Sequence, residues 1–158
     1  MGPMKRVNIS EAQYEYDDND PPGYRAGMVR VGDIAGGQSL AVKLFELPAG
    51  EDLCPYHYEY EEEWLVVIDG TVTVRTPSGE HDATEGDVVC FPPGKDGAHK
   101  VMNNGEAPAH VLMFSSARWP AVAVYPDSDK ILMWPGNAED RVMLRRGDGN
   151  VDYYDGEA

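Results

Sequence analysis

The sequence predicts an all-β chain, and three observations predict it. Runs rich in Val, Ile, Thr and aromatic residues recur, such as Trp64-Leu65-Val66-Val67-Ile68 and Thr71-Val72-Thr73-Val74. Such side chains suit a pleated, half-buried surface. Gly, Pro and Asp bound the runs, and Asp69-Gly70 between two of them is a strong hairpin signal. No internal repeat and no sustained helical periodicity appears.

Residues 1–37 read as a polar N-terminal arm, broken at Pro21-Pro22-Gly23 and Gly36-Gly37, with one short strand near 26–31. Gln38 to Leu47 is strand-like and enters the barrel, and Pro48-Ala49-Gly50 turns it. After the Asp69-Gly70 hairpin, Thr76-Pro77-Ser78-Gly79 is a second turn that leaves His81 exposed. Val88-Val89-Cys90-Phe91 is a short buried strand. Pro92-Pro93-Gly94 ends it, because proline lacks a donor and fixes its own φ. His99 opens a new strand with Val101 and Asn103 on its face. Val101-Met102 and His110 to Phe114 close the barrel, with His110 a surface or packing residue.

Residues 119–158 lie outside this core, which spans about 40–118. Trp119, Val122, Val124, Trp134, Tyr153 and Tyr154 make this extension too apolar for a disordered tail. It needs a surface to cover, on its own barrel or on a partner's. The alternating Val122 and Val124 suit a strand added to a sheet edge.

Two segments carry chemistry. Strand alternation puts His57, Glu59, Glu61 and Glu63 on one face if the strand is regular. Glu61 and Glu62 read as a solvated acidic edge. Glu63, set against the hydrophobic run, does not, because a buried carboxylate is costly unless paired or bound to a metal. His99 comes from a second segment about forty residues on. Imidazoles and carboxylates from two such segments can converge on one ion.

These stretches resemble the two motifs of the cupins. The first, G-x5-H-x-H-x3,4-E-x6-G, is matched by Gly50, His57, Glu59, Glu63 and Gly70, with one extra residue before His57 and Glu59 in place of the second histidine. The second, G-x5-P-x-G-x2-H-x3-N, is matched by Gly86, Pro92, Gly94, His99 and Asn103, with Asp96 and Gly97 in a lengthened loop. The resemblance implies a double-stranded β-helix, a jelly-roll barrel with N- and C-terminal extensions, as a single domain. It also implies a metal held by His57, Glu59, Glu63 and His99. With Glu59 turned away, a two-His-one-carboxylate triad remains. Mn, Fe, Zn, Ni and Co all suit such a set.

One domain is what 158 residues can build. The net charge is −15, from 28 acids against 13 bases. That disfavours nucleic-acid and anionic-membrane partners. Asp69 interrupts the longest apolar run, and the first residues do not read as a signal peptide, so a cytoplasmic location is expected. Cys54 and Cys90 suggest no disulfide scaffold. Cys54, Tyr56, Tyr58, Trp64, Cys90 and Lys100 are candidate pocket groups. The expected protein is a homodimeric, metal-dependent enzyme acting on a small organic molecule, of dioxygenase, isomerase or decarboxylase type. The alternative is a non-catalytic ligand-binding or sensing module.

Overall fold

The computed structural model describes residues 2–157. It is a jelly roll of antiparallel strands. The strands in chain order are β1 (Gly27–Val29), β2 (Leu40–Leu47), β3 (Tyr58–Glu59), β4 (Glu63–Asp69), β5 (Thr71–Thr76), β6 (Gly79–Thr84), β7 (Val88–Phe91), β8 (Lys100–Met102), β9 (Ala109–Ser116), β10 (Ala121–Tyr125), β11 (Lys130–Trp134) and β12 (Val142–Arg145). Two single-turn helices, α1 (Val31–Ala35) and α2 (Arg146–Gly149), appear where no helix is expected. Neither reaches the length of an independently stable helix.

Three sheets form. One runs β1-β2-β9-β4-β7, a second β12-β11-β10-β3, and a third β6-β5-β8. An isolated backbone bridge between His57 and His99 ties the start of β3 to the start of β8. Inward-facing Leu47, Leu65, Val67, Val72, Val101 and Val111 are almost wholly buried between the sheets. Each such side chain contributes roughly 1.5–3 kcal/mol of burial.

The Asp69-Gly70 turn is not a hairpin. β4 pairs with β7 and β9, whereas β5 pairs with β6 and β8. The chain therefore leaves one sheet and enters another at Gly70. A register shift between Val67 and Asp69 prepares this corner. Gly70 has φ of 81°, and a Cβ there would lie 3.1 Å from Ala109, so glycine is required. The hairpin is instead β5–β6, closed by the second expected turn, with Thr76 opposite Gly79.

The extension wraps its own barrel. β10 adds to β3 with Ala123 opposite Glu59 and Val124 opposite Tyr58, as the Val122–Val124 alternation suggests. Val124, Tyr58 and Ala98 form a second buried cluster, with Ile131 against it. Arg75 closes the seam with a two-pronged ion pair to Asp127, at 2.6 and 3.0 Å.

Asn103 is 1% exposed and works as a pin. Its Nδ2 donates to the carbonyls of Leu47 (2.8 Å) and Ala107 (2.9 Å), and its Oδ1 accepts from the Gly105 amide. Asn103→Ala strips partners from buried backbone groups and is expected to cost about 2–3 kcal/mol. That corresponds to a Tm lower by about 6–9 °C in a scanning melt. Asn103→Asp keeps the acceptor but not the donors, so it should be almost as damaging.

Candidate metal centre

His57 sits just before β3, Glu63 opens β4 and His99 precedes β8. One ligand-type atom from each lies within 4.8 Å of the other two. Glu63 Oε2 is 3.7 Å from His57 Nε2 and 3.5 Å from His99 Nε2. The strand bends at residues 60–62, so β3 and β4 are not one regular strand. Glu59 nevertheless returns to the same side, 3.9 Å from His57 Nε2. It stands outside the tight group of three.

Local contacts aim both rings. His57 Nδ1 lies 3.0 Å from the Pro55 carbonyl, and His99 Nδ1 lies 2.9 Å from the Gly97 carbonyl. A carbonyl can only accept, so each Nδ1 carries the proton and each Nε2 is turned to the centre. Phe91 stacks on His99 at 3.7 Å, and Tyr125 of β10 stacks on His57 at 5.7 Å. A Cβ on Gly97 would collide with the Pro92 carbonyl, so the lengthened loop needs glycine to present its carbonyl to His99.

Two buried polar atoms have no hydrogen-bond partner among the described residues: Glu63 Oε2 and His99 Nε2. An unpaired buried acceptor is costly and rare. Two of them facing each other fit a shared divalent cation, and nitrogen and oxygen donors suit a first-row metal. Without an ion, charge is held within the cluster. Burial opposes protonation of His57, but contacts with Cys54 and Glu63 outweigh it and push its pKa up to about 11. Burial and the neighbouring His57 push His99 down to about 4. Burial and repulsion from Glu63 raise Glu59 to about 7.

Above the triad lies a cavity of about 190 Å³, whose lining includes Lys43, Cys54, Glu59 and Ser115. Of the pocket groups expected from sequence, only Cys54 lines it. Tyr58 is buried in the second cluster, and Trp64 stacks on Phe114 at 6.2 Å. Tyr56 lies under the Arg75 guanidinium, Cys90 is exposed, and Lys100 pairs with Asp52. Glu61 is not merely a solvated edge, because it accepts a hydrogen bond from Ser116. His110 is a packing residue, held between Glu46 and Asp69. Lys43 was not expected in the pocket. Its signal was present: strand alternation puts it, though exposed, on the same side of β2 as Ala41 and Phe45, which line the same cavity.

The model of the cupin domain matches residues 43–115. That match covers a little under half of the chain, and the jelly-roll fold of the whole agrees with it. No curated protein sequence matches this chain. Among solved structures, it is similar to an Acidithiobacillus ferrooxidans protein provisionally named a sugar phosphate isomerase. Identity there is 25%, with 91% of this chain and 92% of that one covered and a TM-score of 0.80. A cupin-superfamily sugar phosphate isomerase from Silicibacter pomeroyi gives 23% identity, 94% and 97% coverage and a TM-score of 0.78. A polyketide cyclase of Streptomyces resistomycificus gives 17%, 75% and 83% coverage and 0.61. The β10–β12 extension lies beyond the family match. No helix among the described residues is long and apolar enough to cross a membrane.

Proposed function

We propose that this chain is a metal-dependent enzyme of the cupin type acting on a small organic molecule. The orphaned pair of Glu63 Oε2 and His99 Nε2, beneath an open cavity, carries this reading. His57, Glu63 and His99 would hold the ion, with Glu59 as fourth ligand or as the carboxylate beside it. A bound divalent metal supplies a Lewis acid with open positions for substrate or water. Glu59 lines the cavity 3.9 Å from His57 Nε2, where its carboxylate could take or give a proton. Iron would favour oxygen chemistry, while a carboxylate in that position suits proton-transfer chemistry such as isomerisation or decarboxylation, the branch expected with Mn or Zn. The name carried by the Acidithiobacillus structure falls in the same class. A non-catalytic sensing role is the alternative. Turnover in a screen of small acids, sugars and phenols, lost on chelation and restored by metal, supports the enzyme. Saturable binding with no turnover under any metal rejects it.

The Gly97 loop offers a further check. Gly97→Ala pushes the loop off Pro92 and frees the His99 ring. Metal affinity should fall about 10–100-fold, as when a ligand's outer hydrogen-bond partner is lost. Calorimetric titration with Zn or Mn reads this directly.

Within residues 119–134, β10 pairs with β3 and covers Tyr58 and Ala98, while Trp119 and Met133 stay exposed. The outer face of the five-stranded sheet carries half-buried Trp64 and Phe114, with Leu40 and Val88 54% and 57% exposed. Beside it, a groove of about 280 Å³ is lined by both Glu62 and Arg118. An exposed apolar face of this kind favours pairing with a second copy. A homodimer is therefore expected in light scattering. Trp64→Glu should give a monomer that still binds metal.

A further inference from the structure

The cavity over the triad continues into a second one of about 310 Å³, and the two share Ala41, Lys43, Glu59, Glu63 and Ser115. The outer part runs along β10 and β11 to Arg118, Trp119 and Trp134. Ala121 and Ala123 floor it, and their small side chains leave the space open. Trp119 and Trp134 stand edge to face at 6.1 Å, and Trp119 is 57% exposed. Most of this outer wall is built by residues after 115, beyond the family match.

We infer that this cleft takes a monosaccharide-sized anionic carbohydrate, a sugar phosphate or a sugar acid, with its oxyanion held by Lys43 and Arg118. The inference rests on the enzyme reading for the role of the cleft. Three features carry it. Lys43 and Arg118 form no ion pair among the described residues. In a chain of net charge −15 these two cations line the cleft beside three carboxylates, Glu59, Glu61 and Glu63, and a divalent ion in the triad would tip that balance to positive. Indole faces at the outer end suit the C–H face of a sugar ring. Ser115, Ser116, Glu59 and Glu61 along the wall supply donors and acceptors for hydroxyl groups. Glu63 faces two imidazoles, and an ion in the triad would add two positive charges, so the preference for an oxyanion belongs to the metal-loaded cleft. The outer cavity is at the small end of the roughly 300–1,000 Å³ of ligand sites.

Quenching of tryptophan fluorescence tests this on the full chain, with added Mn and with chelator, using glucose 6-phosphate, glucuronate, glucose and benzoate. At least one charged sugar should bind about tenfold or more tightly than glucose. Which of the two wins identifies the oxyanion. The Lys43→Met, Arg118→Met double variant should erase that preference and leave glucose affinity within about twofold. Ala121→Phe should weaken the charged sugar by about tenfold or more while metal content is unchanged. A preference that survives the double variant overturns the inference, as does benzoate binding as tightly as glucuronate. Charged sugars that bind without turnover reject the enzyme and leave the inference standing. Turnover of other compounds with no charged-sugar binding does the reverse.

Discussion

The His57→Ala, His99→Ala double variant is expected to emerge from purification with no bound metal, where the parent chain carries close to one equivalent. The two Nε2 atoms are the neutral donors of the cluster, and Glu63 alone cannot replace them. Their loss also strands Glu63 and Glu59 as neighbouring buried carboxylates. Breaking a buried charge pair in this way costs about 3–5 kcal/mol. The parent should gain about 2.7 kcal/mol from metal at a hundredfold excess over Kd, and the variant nothing. In a melt, added metal should therefore raise the parent's Tm by about 5–10 °C and leave the variant's unmoved. Elemental analysis finding full occupancy in the variant would reject the ligand set. So would a metal-free parent across several metal-supplemented preparations.

Ending the chain at Ala117 is expected to be more damaging still. β3 lies at the end of its sheet, and among the described strands its ladder partner is β10. Removing β10 uncovers Tyr58 and Ala98 and takes away Val124, which is 2% exposed. At roughly 1.5–3 kcal/mol for each large apolar side chain, the loss approaches the 5–15 kcal/mol that holds a typical domain together. The Arg75–Asp127 pair and the Tyr125 ring over His57 go with it. Far-ultraviolet circular dichroism should show a non-cooperative urea transition, or none. A cooperative transition within about 0.5 kcal/mol of the full chain would show that the extension is not part of the folded unit.

Much of the centre was legible because its signals are local. The two motifs name His57, Glu59, Glu63 and His99, and alternation puts a carboxylate where apolar residues surround it. The Asp69-Gly70 signal correctly marked a sharp reversal but not its use. Which sheet receives β5 depends on its pairing with β8, some thirty residues away, and no short-range pattern encodes that. The reach of β10 to β3 is of the same kind. Trp119, Tyr125 and Trp134 read only as apolar residues needing cover. Their place around the centre follows from one non-local register, Ala123 opposite Glu59. Lys43 was overlooked for another reason. A charged residue among inward-facing Ala41 and Phe45 is the departure from pattern that marks a pocket, and composition alone hides it.

The backbone bridge between His57 and His99 also bears on how the chain finds its fold. The two residues are separated by five strands, β3 to β7, and their turns, so the bridge forms only after a long segment has closed on itself. Closing such a loop is an entropic toll set by its length, and contacts of this span slow the search for the native topology. An ion could not shorten that search, because its donors are scattered until the barrel has closed. It would act afterwards, as a clasp that holds a finished ring shut. Its influence would fall on how long the native state survives once reached.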